Sequence, residues 1–143
     1  MDTNKLINIR EIISFAAVGT VGFLLDAVIV WALTQFMNIT PIWAKLIAFP
    51  FAVTLTWLLN RNSTFKDRKQ PNYIKEWAKY IQVNSLGAIT NNISFIILVA
   101  KIDYMYQQPI IAVALCSIIG MTFNYLGSKI WVFKKGEDRI TKI

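Results

Sequence analysis

Asp26 and Lys45 each interrupt a long apolar run of this 143-residue chain, and asparagines interrupt or end the others. Asp26 lies 16 residues beyond Arg10, about 24 Å along a helix, which sets it in the outer half of a bilayer. A carboxylate at such a depth costs about 2.5–3.5 kcal/mol on insertion scales, so it needs a partner. Lys45 lies five positions into the next run, counted from the same outer side, and is the candidate. Three chemistries fit: a structural ion pair that fixes a hairpin, a polar station on a substrate path, or a protonated Asp26. Asn91 and Asn92 fall at the corresponding depth of the third run, either as helix-to-helix hydrogen-bond glue or as the lining of a polar cavity.

A second constellation sits at the other end of the runs. Thr56 and Asn60 are one helical turn apart, and so are Asn124 and Ser128. Arg61 and Lys129 follow directly. A phosphate arriving there would meet two cations beside amide and hydroxyl donors. The alternative is a belt of snorkelling basic side chains next to aromatics. The chain has no histidine, which removes the commonest general base and metal ligand. No Gly-rich phosphate loop, paired acidic metal site or nucleophile–base pair is visible, so the chain is expected to be neither an enzyme nor a cofactor carrier. The single cysteine, Cys116, lies inside an apolar run and can form no internal disulfide.

The elements that hold these residues are read from composition. Hydrophobic residues make up 55% and charged residues only 16%, against about a quarter charged in soluble domains. Four apolar runs reach the roughly 20 residues that cross a bilayer: about 12–36, 41–59, 80–100 and 109–132. The first is too long, and lacks the small-residue cleavage site, to be read as a signal peptide. Residues 71–79 alternate Tyr73, Ile74 and Trp77 with Lys75, Glu76 and Lys79, a pattern for a short interfacial helix. Trp31, Trp43, Trp57, Trp77, Tyr80, Tyr104, Tyr106 and Trp131 read as interfacial aromatics.

The +7 net charge is one-sided. Arg61, Lys66, Arg68, Lys69, Lys75 and Lys79 fall between runs two and three, and Lys129, Lys134, Lys135, Arg139 and Lys142 lie at or beyond the end of run four. The short loops at 35–40 and 101–108 carry only one basic residue, Lys101. The positive-inside rule therefore puts both termini and the central loop in the cytoplasm. The same residues favour anionic membrane lipids. No basic groove interleaved with aromatics is present, so nucleic acid is not an expected partner.

The segment from Pro41 to Lys66 recurs 68 residues later, from Pro109 to Lys134, with Pro, Ile, Ala, Thr, Leu, Phe and Lys at matching positions. Arg61 matches Lys129 in this register. The first helices align at an offset of 65, which matches Gly22 to Gly87 and Asp26 to Asn91. The expected fold is an all-α integral membrane protein, a single domain of two parallel-repeat helical hairpins related by a pseudo-twofold along the membrane normal.

Phe15-Ala16-Ala17-Val18-Gly19 followed by Asp26, Asn60-Arg61-x-x-Thr64-Phe65, and Asn124-Tyr125-x-x-x-Lys129-x-Trp131-Val132-Phe133 together resemble the GtrA-like family of small four-helix membrane proteins. The resemblance covers nearly the whole chain. It implies translocation of a polyprenyl-phosphate-linked sugar, such as undecaprenyl phosphate-glucose, across the cytoplasmic membrane for cell-surface polysaccharide glycosylation (O-antigen or teichoic acid). The site residues it suggests are Arg61, Lys129, Asn60, Asn124, Asp26, Lys45, Asn91 and Asn92. A membrane glycosyltransferase is the implied partner. The narrowness of a four-helix path points to a homo-oligomer, at least a dimer. The chain departs from the family at Asn62-Ser63, where bulkier residues are common, and at Lys129, where Arg is common; Lys is a point charge rather than a bidentate fork. The competing expectation is a non-transporting anchor or partner subunit of a polyprenyl-phosphate glycosyltransferase. A small four-helix exporter fits less well, because dual-topology exporters carry little charge bias.

Overall fold

The computed structural model describes residues 8–134. Asn8 caps α1 (Ile9–Met37), its side chain accepting from the backbone N–H groups of Arg10 and Glu11, as an N-cap amide does for two otherwise unpaired donors. The helix stops at Asn38, whose left-handed backbone (φ 52°) reverses the chain within three residues. Pro41 opens α2 (Pro41–Asn62) at the position where a missing N–H costs nothing. A turn of 3-10 helix at Lys66–Arg68 leads to α3 (Tyr73–Lys101), capped by the Asn72 side chain. The short α4 (Asp103–Gln107) turns the chain into α5 (Pro109–Gly127), which ends in a π-helical turn at Ser128–Val132.

Among the described residues, four helices are long and apolar enough to cross a membrane: Ile9–Met37, Pro41–Asn62, Tyr73–Lys101 and Ile111–Val132. The expected interfacial segment, about 71–79, is not a separate helix; from Tyr73 onward it is the first two turns of α3. Both chain ends, with Lys5, Lys135, Arg139 and Lys142, lie outside the described residues. Large apolar side chains such as Leu24, Val28, Phe51, Ile96 and Ile118 face outward, while Asp26, Asn60, Arg61, Glu76, Ser128 and Lys129 are buried. That inversion suits a lipid solvent, where polar groups turn to the bundle interior.

The duplication is written into the core. The buried residues of α1 that follow the first turn are Phe15, Val18, Gly22 and Asp26; those of α3 are Glu76, Tyr80, Val83 and Gly87. Three of these match at the offset of 65. Along α2 and the turn that follows it, the buried Ala44, Ala48, Trp57, Asn60, Arg61 and Phe65 recur 68 residues on as buried Ala112, Cys116, Tyr125, Ser128, Lys129 and Phe133. Each hairpin, α1 with α2 and α3 with α5, crosses at a glycine. A Cβ on Gly22 would lie 2.2 Å from Thr56 Cγ2, and one on Gly87 would lie 1.8 Å from Asn124 Oδ1. Small residues there let the helices approach closely.

The pseudo-twofold passes between Phe65 and Phe133, whose rings stack with centroids 4.8 Å apart and planes 19° apart. Phe15 meets Phe65 edge-on at 6.2 Å and 60°, and its counterpart Tyr80 meets Phe133 at 6.1 Å and 63°. Such pairs contribute about 0.5–1.5 kcal/mol beyond the area they bury.

Candidate functional site

Polar contacts between the hairpins gather at the end that carries the α2–α3 connection, here called the linker end. Arg61 of α2 pairs with Glu76 of α3, and both side chains are buried. The Glu76 carboxylate also accepts from Trp57 Nε1 at 2.9 Å and from the Gln70 backbone N–H at 2.7 Å. Arg61 donates further to the Gln70 carbonyl at 3.2 Å and lies 4.2 Å over the Tyr73 ring. Both members of the pair are thus held by further hydrogen bonds, the condition under which a buried ion pair is tolerated.

The other half of the molecule repeats the arrangement with the hairpins exchanged. Lys129, at the end of α5, pairs with Glu11 of α1 at 2.8 Å and donates to the Tyr125 hydroxyl at 2.9 Å. That hydroxyl donates to Glu11 Oε2 at 3.3 Å, and Arg68 holds Glu11 Oε1 at 3.1 Å. Glu11 and Glu76 are 65 residues apart, Trp57 and Tyr125 are 68 apart, and so are Arg61 and Lys129. Each repeat supplies the cation for the other repeat's glutamate.

This differs from the sequence expectation of two cations open to a phosphate. Arg61 and Lys129 lie inside the bundle, beneath the groove rather than on its wall. Trp57 and Tyr80, expected in the interfacial belt, are core residues as well, at 7% and 1% exposure. Trp57 is drawn in by Glu76, and Tyr80 by Asn60, whose amide donates to the phenol oxygen at 2.8 Å. Thr64 donates to Asn60 Oδ1 and meets Ser14 Oγ, both at 2.8 Å, continuing the chain of hydrogen bonds to α1.

Above this seal a groove of about 770 Å³ opens between the two hairpins. Phe15, Asn60 and Tyr80 form its linker-end floor, and six of the eight sequence-predicted site residues line it: Asp26, Lys45, Asn60, Asn91, Asn92 and Asn124. Lys45 Nζ bonds Asp26 Oδ2 directly. The pair is uneven, because Asp26 is almost enclosed while the Lys45 side chain is 61% exposed. One face of α3, at the i, i+3, i+7, i+8 spacing of Asn84, Gly87, Asn91 and Asn92, gives the opposite wall. Asn84 and Asn92 donate to the carbonyls of Tyr80 and Ala88 at 2.9 and 2.8 Å. Asn91 packs across Gly120, where a Cβ would come within 3.1 Å of its own. Among the described residues, Asn124 Oδ1 and Ser128 Oγ are buried without a hydrogen-bond partner. Ser128 begins the π turn, a feature frequent at functional sites.

Sequence reasoning missed Glu11 and Glu76. The signal was present: the register that aligns Gly22 with Gly87 also aligns these two glutamates, three turns toward the linker end.

The profile of the GtrA/DPMS transmembrane domain matches residues 14–133 of the chain. No curated protein sequence matches it.

Proposed function

The chain belongs to the GtrA/DPMS transmembrane-domain family, and from that premise we propose that it moves a polyprenyl-phosphate-linked sugar across the cytoplasmic membrane. In this reading the linker end is cytoplasmic, the sugar-phosphate head crosses by way of the groove, and the polyprenyl tail stays in the bilayer. The observation that carries the reading is the groove itself: a charged pair and a row of amides open between hairpins whose outer faces are apolar. A phosphate or a set of sugar hydroxyls left in hydrocarbon would lose its hydrogen bonds with water, a cost of several kcal/mol. Lys45 and the asparagines offer replacements.

Arg61 and Lys129 enter this scheme as exchangeable cations. A phosphate arriving from the inner leaflet reaches them when it displaces Glu76 and Glu11, and the two pairs form the seal beneath the groove floor that must part for the head to pass. Anionic lipids gather at the exposed Lys66, Lys69 and Lys75, beside exposed Tyr73 and Ile74. The same basic face is what favours the second reading, a non-transporting partner that docks a membrane glycosyltransferase there.

Purified protein in vesicles loaded with labelled polyprenyl-phosphate glucose tests the choice. A carrier exposes the inner-leaflet sugar to an impermeant outside probe faster than empty vesicles do. An anchor leaves exposure at the empty-vesicle rate and co-purifies with a glycosyltransferase.

A further inference from the structure

The two repeats have kept the residues that hold the bundle together and have diverged where they line the groove. Glu11 and Glu76, Val18 and Val83, and Phe65 and Phe133 are identical in the two registers and lie in helix contacts, as do the identical Gly22 and Gly87, which also edge the groove. On the groove wall the matching positions differ in chemistry. Asp26 faces Asn91 in the alignment, Phe49 faces Ser117, Thr56 faces Asn124, and Gly19 faces Asn84. Lys45 matches Val113, which lies outside the groove. The α1–α2 wall is therefore charged and the α3–α5 wall is neutral and rich in amides.

We propose that the two walls read the two parts of one head group: the α1–α2 wall takes the phosphate through Lys45, and the α3–α5 wall takes the sugar through Asn91, Asn92 and Asn124. The assignment rests on the translocase reading and adds which residues set sugar preference. A phosphodiester is an acceptor only, and an ammonium is a donor only, with three protons. Lys45 meets that need, and Asp26 behind it holds the ammonium in position. Sugar hydroxyls both donate and accept, and among side chains the amide presents both functions from one planar group. Asn92 spends a donor on the Ala88 carbonyl and keeps its own carbonyl oxygen as an acceptor. Asn124 Oδ1, enclosed against Gly87 and without a partner among the described residues, is an acceptor in want of a hydroxyl. Its burial makes an unfilled site unfavourable and a matching donor rewarding.

The test uses the full chain in detergent and two phosphodiester probes of equal charge, a short-chain prenyl methyl phosphate and the same prenyl phosphate bearing glucose in place of the methyl group. The wild-type protein binds the glucosyl probe more tightly, by about tenfold, the size of one or two neutral hydrogen bonds. Asn92→Ala removes a side chain bonded, among the described residues, only within its own helix, so the fold survives and the preference falls toward unity while the methyl phosphodiester binds as before. Asn91→Ala, which loosens packing on Gly120, is read beside it through the ratio of the two affinities rather than either value. Lys45→Gln weakens both probes by the same factor and leaves the ratio intact. If the asparagine variants weaken both probes alike, or leave the ratio at its wild-type value, the wall assignment is wrong and the carrier reading stands. If the wild-type protein binds neither probe, the carrier reading itself falls and takes the assignment with it.

Discussion

Arg61 and Glu76 join α2 of one hairpin to α3 of the other, and a half-turn about the pseudo-twofold carries this pair onto Lys129 and Glu11. Two hairpins that each bury their own interface are thereby stitched into one domain at a single end. The stitches leave the opposite halves free to stand apart around the groove.

Removing one partner of such a pair is expected to be worse than removing both. Glu76→Ala leaves a buried guanidinium without its counter-ion, a loss of about 3–5 kcal/mol. The double variant Arg61→Met with Glu76→Leu restores much of that stability, because an apolar pair of similar volume needs no compensation. Thermal unfolding in detergent compares the two. Glu11→Ala is expected to cost less than Glu76→Ala, since Glu11 is 16% exposed and Glu76 is not exposed at all.

The aromatic stack on the axis is expected to behave as core. Phe133→Ala removes the partner of Phe65 and an edge contact of Tyr80, at about 3–5 kcal/mol for a buried phenylalanine. Phe133→Leu recovers part of the loss, and the same unfolding assay measures both.

The glycine crossings give a contrast within one residue type. Gly87→Ala drives a Cβ into the Asn124 side chain and is expected to destabilise by about 1–3 kcal/mol, as overpacking does. Gly19→Ala meets nothing within 4 Å, and by helix propensity alone it stabilises by up to about 1 kcal/mol. Melting temperatures moving in opposite directions for the two variants check the crossing geometry.

Cys116 offers a reporter that needs no engineering. It is fully buried at the position that repeats Ala48, so a thiol reagent is expected to leave it unmodified in the folded protein and to label it on unfolding. Rapid labelling of the native protein contradicts the α3–α5 packing described above.

Much of this arrangement was legible in the sequence because the bilayer demands it. Runs long enough to span, loops with lopsided charge and a register of 68 residues follow from hydrophobic length and duplication alone. Asp26 and Lys45 were matched because two opposite charges in neighbouring runs have few other partners. The pairing of Arg61 and Lys129 was not legible. Both read as surface cations when only helix ends and aromatics are counted, and their glutamates lie on the opposite hairpin, at a separation set by tertiary packing. Trp57 and Tyr80 were misread for the same reason: an aromatic near a helix end is either a belt residue or a hydrogen-bonded core residue, depending on a partner the local pattern does not reveal. The divergence of the two groove walls became visible only once it was clear which matched positions line the groove and which hold the helices together.

The central claim, passage of a lipid-linked head group through the groove, is tested most directly at Gly19. This residue lines the groove, and its missing side chain has open space before it. Gly19→Trp therefore puts a large side chain into the path at a position outside the glutamate pairs and the glycine crossings. In vesicles carrying labelled polyprenyl-phosphate glucose, the predicted result is a variant that inserts and melts like the wild-type protein while exposing the sugar no faster than empty vesicles. Exposure at the wild-type rate in Gly19→Trp vesicles contradicts passage through the groove.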